Sequence, residues 1–169
     1  AGARDLAVEL MFNHNEPGDV LDTRYDDTFG GGVAMTYMFN EYVGARASAN
    51  YLKYTRDFDG GDLGIIRLNL DAKVSWPIIH RLSVYGIAGM GLYSWDADYI
   101  WWSDTGAENG LEIGYNWGIG ASYEVWEGIE ATLLYDRHSV EFEDSEDRSC
   151  WAEISLGVIF HLDPTVFSH

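Results

Sequence analysis

Cysteine occurs once in 169 residues, at Cys150, so no internal disulfide can staple the fold. Proline occurs only at Pro17, Pro77 and Pro164, which leaves long stretches able to donate every backbone hydrogen bond. Lys and Arg together number 10 against 28 Asp and Glu, a formal charge of −18. That balance excludes nucleic acid as a partner and a peripheral binder of anionic membrane surfaces, both of which need a basic patch. No apolar run reaches the length of a membrane-spanning helix. No leader-type apolar run follows Ala1, as expected of a processed mature chain or one never exported. What the chain has instead is 47% hydrophobic residues, 15% aromatics and 19 glycines, too apolar for disorder and sized for one domain.

Those apolar residues alternate. Ile66, Leu68, Leu70, Ala72, Val74 and Trp76 hold one parity, and Arg67, Asn69, Asp71, Lys73 and Ser75 the other. A period of two gives a β-strand one greasy and one charged face. Eight such segments are expected: 5–13, 29–39, 43–51, 66–76, 82–95, 111–123, 129–137 and 152–162. In 111–123 the odd positions run Leu, Ile, Tyr, Trp, Ile, Ala, Tyr and the even ones Glu, Gly, Asn, Gly, Gly, Ser. The facing of 82–95 stays ambiguous, although Tyr85, Ile87, Tyr93 and Trp95 share a parity. Most segments exceed the roughly 5–6 residues of soluble strands and approach what a tilted strand needs to cross a bilayer.

Connections alternate too. Long ones are expected over 14–28, 54–64, 96–110 and 138–150, and short ones near Asn40-Glu41, 77–81 and 125–128. In an up-and-down meander this gathers all long connections at one end. Of the 28 acids, 17 fall in the long connections, so the acidity belongs to one rim. The expected fold is therefore all-β: an eight-stranded antiparallel up-and-down transmembrane barrel over residues 1–162, with four long outer loops, short periplasmic turns, and a short tail at 163–169.

With the apolar face turned to lipid, Glu9, Arg46, Arg67, Asp71, Lys73, Glu112, Glu130 and Glu153 point into the lumen as a charge network. Eight strands leave room for side chains only, so this network is expected to plug the barrel. Phe12, Phe39, Tyr42, Tyr51, Trp76, Tyr93, Tyr123 and Tyr135 recur near segment ends, as interfacial girdles require.

The final segment, Ser155-Leu156-Gly157-Val158-Ile159-Phe160-His161-Leu162, resembles the C-terminal assembly signal of outer-membrane barrels, with Gly157, Phe160 and Leu162 at its marked positions. In pattern the chain resembles the small eight-stranded outer-membrane barrels, the OmpA-like transmembrane domain and its OmpX and OmpW relatives. The resemblance implies a bacterial outer-membrane location, lipid and lipopolysaccharide as neighbours, no cofactor, and a non-enzymatic structural or surface-interaction role. Its outer loops would meet a protein partner, with Tyr99, Trp101 and Trp102 as contact aromatics. The alternative it implies is a small channel for hydrophobic solutes, as in OmpW-like relatives.

Three further constellations stand out. His138-Ser139 with Glu141 and Glu143 evokes the His–Ser pair of outer-membrane lipid A deacylases, but adjacent strand residues point to opposite faces. His14, His138 and Cys150 fall at the outer ends of neighbouring strands, where three such side chains could ligate zinc or copper if they converged. Asp57, Asp59 and Asp62 lack the distal glutamate of a calcium loop. The plainer reading of all three is rim residues, so no catalytic or metal site is expected.

Overall fold

The computed structural model describes residues 5–16, 28–55, 62–97, 108–141 and 148–162. They form eight strands: β1 Asp5–Glu16, β2 Thr28–Met38, β3 Val43–Thr55, β4 Asp62–Ile79, β5 Leu82–Ala97, β6 Glu108–Trp126, β7 Ile129–Glu141 and β8 Arg148–Leu162. Each pairs antiparallel with its sequence neighbours, and β1 closes on β8 from Leu6↔Leu162 to Glu16↔Ala152, so the sheet is a closed barrel. Closure removes every sheet edge, which is what a strand-built structure needs in hydrocarbon, where nothing else can satisfy an exposed backbone amide.

The strands are longer than the alternation alone delimits. β6 runs 19 residues and β4 runs 18. Five of the acids expected in connections, Glu16, Asp62, Asp96, Glu108 and Glu141, lie instead within strand ends, which leaves twelve in 17–27, 56–61, 98–107 and 142–147. Alternation fades at strand tips because a rim position beyond the lipid need not be apolar, while backbone pairing continues. At the opposite end the turns are tight. Asn40 Oδ1 accepts from the Tyr42 and Val43 amides at 2.8 and 2.9 Å, fixing the β2–β3 turn. His80-Arg81 joins β4 to β5, and Glu127-Gly128 joins β6 to β7 with Gly128 at φ 77°, where glycine carries no steric cost.

The two faces divide as the alternation requires. Most outward side chains are apolar and open: Leu70 is 66% exposed, Ile119 64% and Trp126 74%. Lys53, Ser94 and Arg137 are polar exceptions toward the long-connection end. A continuous apolar band of this extent is untenable in water and suits a lipid-facing belt. Inward side chains are polar and closed, with Glu9, Arg46, Arg67, Asp71 and Glu153 all buried. One girdle assignment is corrected: Tyr93 is not interfacial but inward and buried. Its ring lies where a Cβ on Gly91 or Gly114 would meet it at 2.9 or 2.8 Å, so those glycines make its room. This also settles β5, whose Tyr85, Ile87 and Tyr93 all face the lumen.

Tyr85 occupies a comparable space over Gly120, where an added Cβ would collide with its ring and hydroxyl. Gly120→Val is therefore expected to destabilise the barrel by about 1–3 kcal/mol through overpacking. The urea midpoint for unfolding from lipid vesicles measures it, and an unchanged midpoint would show that the lumen has slack there.

Candidate functional site: the charged lumen

The lumen is built from residues two apart on each strand, which the pleat stacks into tiers. In the first tier Arg46 of β3 reaches Glu9 of β1, with Nε and Nη2 donating to Oε2 at 3.2 and 3.1 Å, and its Nη1 donates to Asp71 Oδ2 of β4 at 3.4 Å. Asn116 of β6 donates to the other Asp71 oxygen at 2.7 Å. Lys73 lies 4.3 Å from the centroid of the Tyr85 ring, a cation–π contact, and Tyr85 OH bonds Thr132 Oγ1 at 2.7 Å.

In the second tier Arg67 of β4 crosses to the opposite wall and grips Glu153 of β8 bidentately, at 2.8 and 2.9 Å. The same Nη1 lies 2.8 Å from His138 Nε2 on β7. Asp136 Oδ2 stands 3.0 Å from that nitrogen, and Tyr93 OH 2.9 Å from Nδ1. Ser155 donates to Glu153 at 2.9 Å. Fork-to-fork geometry of this kind is the strong form of a buried ion pair. Beside it, Asn13 donates to Asn50 at 2.9 Å. Tyr93, Val140 and Trp151 form an apolar cluster toward the long-connection end, with Trp151 stacked on His138 at 5.5 Å and 28°. At the tight-turn end Glu130 and His161 meet at 2.7 Å, about a quarter to a third exposed.

The eight charges expected in the lumen thus separate. Glu9, Arg46 and Asp71 come together, as do Arg67 and Glu153; Lys73 and Glu130 lie toward the tight-turn end, and Glu112 is half-buried. Gly157 faces inward, where a Cβ would come 2.9 Å from Thr132 Cγ2, while Phe160 is exposed and Leu162 half-buried. Tyr99, Trp101 and Trp102 lie outside the described residues, as do Glu143, Asp57 and Asp59.

Asp136 and Asn116 fall on the polar face of the alternation but outside the expected charge network, while His138, Tyr85 and Tyr93 were missed as lumen residues. Asp136 and His138 continue the parity of Glu130 and Thr132, so extending the seventh segment one step past Arg137 would have found the histidine. The signal is broken by Leu134, an inward leucine packed with Tyr85 and Ile87. The His–Ser and the zinc or copper constellations do not assemble. His138 is buried in the lumen, whereas Ser139 takes the opposite face and accepts a long contact from Cys150 Sγ at 3.7 Å. Pleating therefore separates the His–Ser pair, and it likewise separates His138 from His14 and Cys150, both on outward positions.

Comparison with known proteins agrees with this architecture. The family described as outer membrane protein beta-barrel domain matches residues 3–160. No curated protein matches the sequence. Among solved structures, Neisserial surface protein A is similar with a TM-score of 0.72 at 16% identity, over 92% of this chain and 96% of that one. The N-terminal beta-barrel domain of Pseudomonas aeruginosa OprF is similar with 0.58 at 21% identity, over 96% and 100%. Ail, the attachment invasion locus protein of Yersinia pestis, solved in complex with the heparin analogue sucrose octasulfate, gives 0.60 at 16% identity, over 95% and 99%. At such identities the likeness concerns the fold.

Proposed function

We propose that this chain, which belongs to the outer membrane protein beta-barrel domain family, serves in a bacterial outer membrane as a non-enzymatic barrel whose long acidic connections meet partners at the cell surface. The filled lumen carries this reading. Arg46 and Arg67 each hold carboxylates on other strands, and Tyr85, Tyr93 and Trp151 occupy the space between, which leaves side chains where a solute route would run. A non-enzymatic role is supported by His138 and Ser139 facing apart. The apolar belt suits lipid acyl chains, with lipopolysaccharide as the outer-leaflet neighbour.

The partner's chemistry follows from charge. Twelve acids in the four long connections disfavour a sulfated polyanion of the kind bound in the Ail structure and favour a cationic protein surface, with Tyr99, Trp101 and Trp102 as anchors. Two measurements test this. In a planar bilayer the purified chain is expected to give no steady current; a steady current would replace the plug with the solute channel. Vesicles of zwitterionic lipid carrying the chain are expected to bind polylysine beads in a salt-dependent manner and to pass heparin beads. Retention on heparin, or none on polylysine, contradicts the surface role.

A further inference from the structure

His138 Nε2 faces two groups that require opposite things of it. Arg67 Nη1, 2.8 Å away, can only donate and needs a bare nitrogen. Asp136 Oδ2, 3.0 Å away, accepts as a carboxylate and needs an N–H. One nitrogen cannot satisfy both in one protonation state. The other ring nitrogen meets Tyr93 OH at 2.9 Å, a hydroxyl able to donate or accept, which fits either state.

Charge and unmet bonding point the same way. With a neutral imidazole, Arg67, Asp136 and Glu153 sum to one negative charge, in a place where all four side chains are buried. Among the described residues, Asp136 Oδ1 has no hydrogen-bond partner and neither has Arg67 Nε. Asp136, His138 and Glu153 do bring three potential metal-ligand atoms within 4.8 Å of one another. However, the Arg67 guanidinium already bonds both His138 and Glu153, and a divalent ion beside it would leave the buried cluster positive. One proton balances it.

Among the described residues, five strands supply the groups around the ring. β4 supplies Arg67, β5 Tyr93, β7 Asp136, and β8 Glu153 with the uncharged Trp151 and Ser155. β6 sets uncharged Gly114 and Asn116 in register with Val140 and His138, with Glu112 at the next inward position.

We propose that His138 is a proton-operated partner switch across the lumen. In the neutral ring Nδ1 carries the hydrogen and donates to Tyr93, while bare Nε2 accepts from Arg67, so Arg67 ties β4 to both β7 and β8. A proton taken up from water binds the Nε2 lone pair. The new N–H donates to Asp136 on the ring's own strand, and Arg67 keeps Glu153 alone. The cross-lumen tie then drops from two strands to one, directly beneath stacked Trp151. The switch uses the filled lumen described above but stands apart from the surface role; its failure would leave the bead and conductance results unchanged.

The test uses the full chain, labelled with nitrogen-15 histidine and folded in micelles, with His138→Asn identifying the resonance. Long-range proton–nitrogen spectra are taken between about pH 5 and 8, the range in which an imidazole changes charge. Expected is the Nδ1–H tautomer at the high end and a doubly protonated ring at the low end. Asp136→Asn, which keeps size and fold but removes the anionic acceptor, should abolish or markedly lower the transition. A neutral ring with its hydrogen on Nε2, a ring unchanged across the range, or an Asp136→Asn titration identical to wild type overturns the proposal. So does stoichiometric zinc binding that is lost in His138→Asn, since the missing charge would then be a metal's.

Discussion

Arg67→Ala is expected to cost about 3–5 kcal/mol of barrel stability, the loss seen when one partner of a buried ion pair is removed. The size follows from what stays behind. Glu153 loses both guanidinium bonds, at 2.8 and 2.9 Å, and keeps only the Ser155 hydroxyl among its described partners, while buried Asp136 loses a nearby positive charge. Tyr93, Val140 and Trp151 pack beside the tier, which limits how far water can rehydrate the freed carboxylates. Arg67→Lys should recover only part of the loss, since an ammonium cannot reproduce the bidentate fork. Urea unfolding from lipid vesicles, read by the mobility difference between heated and unheated samples on a denaturing gel, gives both numbers. An Arg67→Ala barrel as stable as wild type would mean that the tier contributes nothing to holding the walls together.

The second large effect concerns the outer surface. Ile119 lies midway along the outward series of β6 and is 64% exposed. Ile119→Arg is expected to cost about 2–4 kcal/mol, and the same change at Leu111, near the long-connection end, about 0–1 kcal/mol, because a charge is dear at the bilayer midplane and cheap at its edge. The same vesicle assay checks the depth dependence. A soluble barrel with these residues in water would show no penalty at either position, and the two variants would then be indistinguishable.

The alternation in 66–76 and 111–123 was enough to read the strands, the inverted polarity and the tight-turn end, because a pleated backbone converts parity into facing without help from distant residues. The lumen was legible wherever a charge sat among polar neighbours, as with Glu9, Arg46 and Arg67. It was illegible where the interior is not polar. Leu52, Ile65, Leu134, Val140, Trp151 and Ile159 are all buried inward, so hydrophobicity alone could not assign their strands' ends. Nor could parity say that Arg67 would choose Glu153 on the far wall over Asp71 on its own strand, because cross-lumen partners are set by barrel closure and stagger. His138 looked like a rim residue only because its strand was cut short.

Spin labels placed singly along β6, in a Cys150→Ser background, test the inverted barrel most directly. In lipid vesicles, labels at Ile113, Trp117 and Ile119 should be relaxed strongly by oxygen, which concentrates in hydrocarbon, and weakly by a water-soluble nickel reagent. Labels at Asn116 and Ser122, whose side chains are buried in the lumen, should be immobile and reached poorly by either. Strong nickel relaxation at Asn116 and Ser122, with Ile113, Trp117 and Ile119 immobile and shielded from oxygen, would contradict the account.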